Sequence, residues 1–184
     1  MDNVILVDEH DIEIGYMEKM EAHIEGKLHR AFSVFIFNQK GEMLLQQRAL
    51  KKYHSGGLWT NACCSHPKPN EATIDAAHRR LKEEMGFDTP LIKAFDFKYK
   101  ANFSNGLTEY EFDHVYVGYY DGKIISNFEE VENYAYKSIE SIDETLTEQV
   151  DSFTEWFVIA FPKMVEWMAN NPYPNTSENS IQNI

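Results

Sequence analysis

The chemically most reactive stretch of this sequence runs from Trp59 to Pro67 and contains the chain's only two cysteines beside a histidine. A thiol and an imidazole can both exchange protons with a substrate or bind a metal ion. Side chains two residues apart share a face of an extended segment, so Cys64 and His66 are predicted to point into one site and Cys63 into its wall. Free cysteines are most often small core residues, and the stretch alone also permits that structural interpretation.

A second pattern places two carboxylates on one face of a predicted strand. Glu109 and Glu111 are separated by one residue, whereas Tyr110 and Phe112 occupy the other face. Carboxylates side by side repel each other, and burying them costs desolvation free energy. The pair therefore predicts either a cationic partner between the two glutamates or an exposed strand face.

Positive charge is concentrated in one short segment of an acidic chain. The formal net charge is -13, yet Arg48, Lys51 and Lys52 are close together in sequence. Such a segment is either a solvated loop or a binding site for an anion. Nucleic acid is not an expected partner, because the net negative charge repels its phosphates.

Histidines and carboxylates together supply enough donor atoms for a metal site. His23, His29 and His66 with Glu109 and Glu111 form a candidate set of ligands. Mixed nitrogen and oxygen donors without a thiolate suit a six-coordinate ion such as Mn²⁺ or Mg²⁺, or Zn²⁺ with an expanded shell. The residues are far apart in sequence, so only the fold decides whether they converge.

Length and composition predict one globular domain. The chain has 184 residues, of which 43% are hydrophobic and 14% aromatic, which is enough for one sizeable core. No apolar run approaches the roughly 20 residues that span a bilayer, and the N-terminus lacks the pattern of a secretory signal. Two adjacent cysteines do not form a disulfide framework. We therefore expect a soluble, cytoplasmic protein without a membrane partner.

The predicted elements are a mixture of strands and helices. The β-branched and aromatic residues from Ala31 to Phe37 predict a strand buried on both faces. A helix is predicted over 71–85, with Asn70 as its N-cap and Gly86 as its stop signal. Further elements are expected at 91–100, 107–120 and 133–139 (strands), at 123–126 (a strand that follows a hairpin turn at Asp121 and Gly122) and at 154–169 (a helix). Residues 170–184 are rich in Asn, Ser and Pro and are expected to form a flexible tail.

The predicted helix carries most of a known signature. Six residues fall at the spacings of the Nudix box, G-x5-E-x7-R-E-U-x-E-E-x-G-U: Glu71, Arg79, Glu83, Glu84, Gly86 and Phe87. Ser65 replaces the first glycine, and Arg80 replaces an acidic residue of the metal cluster of Nudix hydrolases. The chain resembles this superfamily, but the loss of that carboxylate argues against pyrophosphate hydrolysis. An arginine there is suited to bind a phosphate directly.

A wider set of motifs resembles the type I isopentenyl-diphosphate Δ-isomerases of the Nudix superfamily. The motifs recur in order at Glu18–His23, Leu28–Ser33, Gln47–Leu50, Leu58–Pro67, Glu109–Glu111 and Phe153–Trp156. The resemblance implies an α+β fold, with a Nudix-like mixed β-sheet core flanked by helices in a single domain over residues 1–169. It also implies the isomerisation of isopentenyl diphosphate to dimethylallyl diphosphate, a 1,3-allylic proton shift in isoprenoid biosynthesis.

The same resemblance implies roles for single residues. Cys64 and Glu111 match the acid/base pair, and Tyr99 matches a tyrosine that hydrogen-bonds the glutamate. The implied ligands of a Mn²⁺, Zn²⁺ or Mg²⁺ ion are His23, His29, His66, Glu109 and Glu111. Glu84 matches a ligand of a Mg²⁺ ion that is held with the substrate's diphosphate. The implied substrate contacts are Lys19, Arg48, Lys51 and Arg80 for the diphosphate and Trp156 for the allylic carbons.

Several alternatives stay open at this point. We expect Glu111, assisted by Tyr99, to deliver a proton to the alkene and Cys64 to remove one, although the sequence does not decide this order. A Nudix pyrophosphohydrolase acting on a nucleotide or prenyl diphosphate is a second interpretation. A binding module with a structural ion is a third. The expected assembly is a monomer or a weak homodimer.

Overall fold

The strand from His29 to Phe37 is central to the sheet in the computed structural model, which describes residues 2–171. The strands are β1 (Asn3–Val7), β2 (Glu13–Glu18), β3 (His29–Phe37), β4 (Met43–Arg48), β5 (Trp59–Asn61), β6 (Cys63–Ser65), β7 (Leu91–Asn102), β8 (Thr108–Tyr119) and β9 (Val131–Lys137). The helices are α1 (Lys19–Glu25), α2 (Thr73–Met85), α3 (Ile139–Glu148) and α4 (Glu155–Asn170), with a short 3-10 helix at Val150–Ser152.

The register of β3 brings distant parts of the sequence together. β3 runs parallel to β8, with His29 opposite Glu111. It runs antiparallel to β6, with Ser33 opposite Cys64. β8 pairs in turn with the antiparallel strand β7, which places Tyr99 opposite Glu111. Residues that are far apart in sequence therefore meet along the first half of β3.

β3 is buried on both faces, as its composition predicts. Phe35 and Phe37 belong to a core that includes α4, where the ring of Phe35 stacks on that of Phe157. Phe32 and Val34 belong to a second core, which includes α2. This alternation follows from the twofold period of a strand. Helices thus cover both faces of the mixed sheet, which confirms the predicted α+β architecture.

Helix α2 begins two residues later than predicted. Ala72 occupies the N-cap position, and Asn70 instead adopts a positive φ of 64° in the preceding turn, so the prediction of Asn70 as the cap is wrong. The predicted stop at Gly86 is confirmed, with a φ of 74°. A Cβ atom at this position would lie 2.1 Å from the carbonyl oxygen of Ile125. Both the backbone conformation and this close approach favour glycine.

Two further local predictions differ from the structure. The predicted hairpin strand at 123–126 is wrong, because residues 120–130 contain no strand. The last strand begins at Val131 and pairs with β4. From residue 172 onward the predicted tail lies outside the described residues, so the domain boundary after residue 169 stays a prediction. Every helix within residues 2–171 falls short of the length or hydrophobicity that crossing a bilayer requires.

Candidate active site

Glu109 and Glu111 are buried side by side on β8 and share one hydroxyl group. The Tyr99 hydroxyl lies 3.1 Å from Oε2 of Glu109 and 2.7 Å from Oε2 of Glu111. Burial, and then the charge of Glu111, raises the pKa of Glu109 well above its ordinary value. A protonated Glu109 beside an ionised Glu111 relieves the repulsion that the sequence predicts. A tyrosine hydroxyl, not a cation, therefore lies between the two carboxyl groups.

Three histidines converge on Glu111. Nε2 of His66 lies 3.0 Å from Oε1 of Glu111 and 3.2 Å from Nε2 of His29. The ring centres of His23 and His29 are 4.9 Å apart. One donor atom from each of these four residues lies within 4.8 Å of the others, a spacing that fits one divalent ion. We call His23, His29, His66 and Glu111 the imidazole cluster.

Backbone carbonyls orient two rings of the imidazole cluster. Nδ1 of His23 donates to the carbonyl oxygen of Lys19 at 2.6 Å, and Nδ1 of His29 donates to that of Lys27 at 2.8 Å. Because a carbonyl only accepts, each Nδ1 carries the proton and each Nε2 of a neutral ring keeps its lone pair. Nε2 of His23 is buried and has no hydrogen-bond partner among residues 2–171. These residues therefore fit a metal ion, which would accept the free lone pairs.

The charges within the cluster also suit metal binding. Burial lowers the pKa of His66 to about 3, despite the opposing effect of Glu111. Burial raises the pKa of Glu111, but its close contacts with His29 and His66 outweigh this effect and hold that pKa well below its ordinary value. Neutral imidazoles and an ionised carboxylate are the forms that coordinate metals.

The fifth predicted ligand, Glu109, belongs to a second group. Oε1 of Glu109 lies 3.2 Å from Nε2 of His54, and both residues offer donor atoms within 4.8 Å of one from His23. We call His23, His54 and Glu109 the Glu109 group. Sequence reasoning missed His54, because it lies in the β4–β5 loop at no regular spacing from the other histidines. The one available signal was that His54 follows, after Tyr53, the cationic segment that ends at Lys52.

The two cysteines of β6 point in opposite directions, as strand parity predicts. Cys64 lines a cavity, which we call the main cavity, together with His66, Tyr99 and Glu111. Cys63 is fully buried in the core that includes α2. Burial raises the pKa of Cys64, and the positive charge of Arg48 opposes this only in part. The thiol therefore keeps its proton at neutral pH.

Four cationic side chains line the main cavity near these groups, and we call them the cation set: Lys19, Arg48, Lys52 and Arg80. Lys51, to which the sequence resemblance gave a substrate contact, is exposed and does not line this cavity. Lys52 lies there instead, because its backbone N–H bonds the carbonyl of Ala49 and closes a turn that separates the two lysines. Lys52 also forms an ion pair with Glu130.

Arg80 and Glu84 are adjacent on α2 and both line the main cavity. Nη2 of Arg80 donates to Oε1 of Glu84 at 2.6 Å, and the Gln46 side chain donates to Oε2 at 2.9 Å. Arg80 also lies 3.3 Å from Glu130. The arginine predicted to contact phosphate is thus next to the carboxylate predicted to hold Mg²⁺.

Trp156, at the start of α4, forms an aromatic wall of the main cavity and is 3% exposed. The guanidinium of Arg48 lies 5.0 Å from its ring centre. The ring of His54 approaches the indole nearly at right angles, at 5.9 Å. The π system of Trp156 therefore already contacts a cation, and an aromatic face of this kind stabilises positive charge.

Comparison with known proteins agrees with this architecture. The NUDIX domain family matches residues 27–157. DR0079 from Deinococcus radiodurans superposes with a TM-score of 0.67 at 17% identity, covering 80% of this chain and 90% of that one. The MutT protein from Methanosarcina mazei Go1 gives a TM-score of 0.63 at 20% identity, covering 79% and 96%. At these identities the likeness concerns the fold alone, and it confirms the predicted Nudix-like core.

Sequence relatives are more specific. This chain is 50% identical to the isopentenyl-diphosphate Delta-isomerase of Pectobacterium atrosepticum, over 90% of this chain and 93% of that protein. It is 44% identical to the protein of the same name from Streptomyces coelicolor, over 83% and 78% of the two chains. The chain therefore belongs to the isopentenyl-diphosphate Δ-isomerase family, within the larger group of NUDIX domains.

Proposed function

We propose that this chain isomerises isopentenyl diphosphate to dimethylallyl diphosphate, the activity named for its relatives. The observation that carries this proposal is that Cys64 and Glu111 line one cavity together with the cation set. A proton donor, a proton acceptor and an anion site are the three features that this reaction needs. The proposed setting is isoprenoid biosynthesis in the cytoplasm, with the chain acting as a monomer or weak homodimer.

The cation set provides the binding site for the diphosphate. Its members contribute positive charge to a chain whose formal net charge is -13, so an anionic substrate is attracted to this one region. Glu84 would hold a Mg²⁺ ion together with the diphosphate, since a carboxylate and phosphate oxygens are the ligands that Mg²⁺ prefers. With the diphosphate there, the hydrocarbon end of the substrate extends toward Cys64, Glu111 and Trp156.

The reaction moves one proton onto the substrate and another off it. A proton adds to the terminal CH₂ of the alkene, which becomes a methyl group and leaves a tertiary carbocation at the adjacent carbon. Loss of a proton from the CH₂ next to that carbon then forms the internal double bond. Trp156 and Tyr99 keep this region aromatic and dry, and the indole face stabilises the cation by about 2 kcal/mol when desolvated.

Cys64 and Glu111 together carry the single proton that this exchange requires. The raised pKa of Cys64 and the lowered pKa of Glu111 place that proton on the thiol before substrate binds. For Glu111 to deliver the proton and Cys64 to remove one, that proton first has to pass from the thiol to the carboxylate, an unfavourable step that runs against both pKa shifts. We retain this order, with Tyr99 supporting the carboxyl group of Glu111.

The imidazole cluster would hold a divalent ion, with Mn²⁺, Zn²⁺ and Mg²⁺ as the candidates and with Glu109 as a further ligand. When bound, the ion supplies positive charge beside Glu111 and tunes its acidity. His29 and His66 position the Oε1 atom of Glu111, and Tyr99 positions Oε2. The carboxyl group is thereby fixed at both oxygens on one side of the main cavity.

The decisive experiment incubates the protein and its metal ions with isopentenyl diphosphate in deuterated water. We expect dimethylallyl diphosphate with deuterium in a methyl group, because the added proton comes from a group that exchanges with solvent. Release of inorganic phosphate without isomerised product would instead identify a pyrophosphohydrolase. Tight substrate binding without either product would identify a binding module.

Cys63 offers a matched control for the thiol. Cys64→Ala should lower kcat by about 10² to 10⁴, the usual effect of a positioned acid or base. Cys63→Ala removes the same group from the opposite face of β6, where the thiol is beside Glu84, so it should act on KM through the Mg²⁺ site and leave kcat within about twofold. Equal kcat values for Cys64→Ala and the unaltered protein would exclude the thiol from the reaction.

A further inference from the structure

His54 is a loop residue whose ring is as deeply buried as a core side chain. Its side chain is 3% exposed. The Phe103 ring stacks on it at 4.9 Å, and the Tyr53 ring meets it edge-on at 4.3 Å. Nδ1 lies 3.2 Å from the Ser55 hydroxyl. These contacts on several sides leave Nε2 directed at Glu109.

The Nε2 atom of His54 lacks a hydrogen bond although an acceptor is near. It lies 3.2 Å from Oε1 of Glu109, yet within the described part of the chain it has no partner in hydrogen-bonding geometry. Nε2 of His23, the third member of the Glu109 group, is in the same situation. Buried polar atoms without partners cost desolvation free energy. An ion between these donors would satisfy all of them.

The Glu109 group and the imidazole cluster have the same arrangement, in which a glutamate bound by Tyr99 also faces histidine rings. The Tyr99 hydroxyl contacts the Oε2 atoms of both glutamates, so the Oε1 atoms of both face histidine rings. His23 belongs to both groups, and its Nδ1 is occupied by the carbonyl of Lys19. An imidazole nitrogen has one lone pair and binds one ion, so Nε2 of His23 cannot serve two ions at once. The two groups therefore point to a single ion.

The donors of the two groups have to draw together to form one shell, because the 4.8 Å spacing holds within each group and not across all six residues. Opposite ligands of a six-coordinate ion lie roughly 4.2 Å apart when each bond is about 2.1 Å. Within each group all donor atoms lie within 4.8 Å of one another. The combined donors are four imidazoles and two carboxylates: His23, His29, His54, His66, Glu109 and Glu111.

We propose that His54 is a sixth protein ligand of the metal ion, added to the five that the sequence resemblance implies. This inference rests on the metal site of the proposed function. A shell of four nitrogens and two oxygens favours Zn²⁺, Co²⁺ or Ni²⁺ over Mg²⁺. Such a shell would leave no open position for water or substrate, so the ion would act by holding Glu109 and Glu111 in place and by its charge beside Glu111.

Bound Mn²⁺ provides the test, because it speeds the relaxation of water protons strongly when water is directly coordinated. With the full chain loaded with Mn²⁺, we expect low relaxivity for the unaltered protein and a clear rise for His54→Ala, in which one water fills the lost position. Zn²⁺ affinity, measured by competition with a chromophoric chelator, should fall at least about tenfold in the same variant. His10→Ala, at an exposed histidine in the β1–β2 turn, is the control and should change neither quantity.

A second measurement needs no variant and covers the case in which His54→Ala does not fold. The ¹⁵N resonance of the His54 Nε2 atom should shift on addition of Zn²⁺ as those of His23, His29 and His66 do. Unchanged Zn²⁺ affinity in a folded His54→Ala, or an unshifted His54 resonance, would overturn the inference while leaving the proposed function intact. Two ions per chain would overturn the single shell. Failure of the unaltered protein to bind Zn²⁺, Mn²⁺ or Co²⁺ would overturn the metal site of the proposed function itself.

Discussion

The imidazole cluster, through His66 and Glu111, borders the same cavity as the cation set, but the two are built in different ways. His29 and Glu111 are opposite each other in the sheet, and both contact His66 of the same cluster. Lys52 and Arg80 instead lie on a loop and a helix surface, and both are paired with Glu130. The acid/base end of the main cavity, formed by the imidazole cluster, is thus assembled before substrate binds, and we call it the assembled end. At the cation set, a diphosphate must displace the Glu130 carboxylate from its ion pairs with Lys52 and Arg80.

The largest expected effect is at the assembled end. Glu111→Gln removes both the proton carrier and a carboxylate of the imidazole cluster, and we expect kcat for isomerisation to fall by about 10² to 10⁴. Steady-state kinetics with isopentenyl diphosphate measure this, and Glu132→Gln at an exposed position on β9 is the control. A kcat near that of the unaltered protein would show that the cluster is structural and not part of the reaction.

The assembled end should also make stability depend on pH in the metal-free protein. Burial lowers the pKa of His66 and, with the charge of Arg48, that of His54, each to about 3, whereas an unfolded histidine titrates near 6.5. Below pH 6.5 the unfolded chain binds more protons, so folding stability is full above that pH and is lost as the pH falls toward 3. Each histidine contributes about 1.4 kcal/mol per pH unit.

Urea unfolding of chelator-treated protein between pH 6.5 and 5 measures this slope. His66→Ala and His54→Ala should each flatten it, while His10→Ala should leave it unchanged. Parallel curves for the unaltered protein and both variants would mean that the two rings are not buried in their neutral form.

Strand periodicity predicts which side chains of β6 and β8 face the acid/base site. The twofold alternation places Cys64 and His66 on the cavity side and Cys63 in the core, and the structure confirms this. The same rule places Glu109 and Glu111 together on one face of β8. Periodicity does not reveal the register between strands. Only the resemblance to the isomerase family predicts that His29 and Glu111 converge, and the register of β3 and β8 places them opposite each other.

The loop between β4 and β5 shows where sequence reasoning fails. Neighbouring residues in a turn point in directions set by backbone angles and not by a repeating period, so Lys51 and Lys52 could not be told apart. His54 was missed for the same reason. Ser55, with a positive φ of 52°, turns the backbone directly after it. Such a conformation is uncommon for residues other than glycine and has no clear sequence signal at serine.

Lys52 and Lys51 are neighbours in sequence, and only Lys52 belongs to the cation set, so substituting each in turn tests that set. Lys52→Ala should raise KM for isopentenyl diphosphate about tenfold, the equivalent of roughly 1.4 kcal/mol of phosphate binding, with kcat little changed. Lys51→Ala removes the same charge from the adjacent exposed position and should change KM less than twofold. Kinetics at low ionic strength would measure both. A larger effect for Lys51 would instead support the substrate contact predicted for it from the sequence.

The smallest expected effect is on stability, at two residues of the Nudix box that do not line the main cavity, Glu71 and Arg79. Glu71 accepts two hydrogen bonds from Arg79, at 2.6 and 2.8 Å, and one from the backbone N–H of Lys68 at 2.8 Å. These bonds tie the turn before α2 to the helix that carries Arg80.

We expect Glu71→Gln to lower the free energy of unfolding by about 0.5 to 1 kcal/mol, because the ion pair is only partly exposed. Urea unfolding at pH 7 would measure this, with Glu132→Gln again as control. KM and kcat should not change, since Glu71 does not line the main cavity. A loss of kcat without a loss of stability would instead place Glu71 in the reaction.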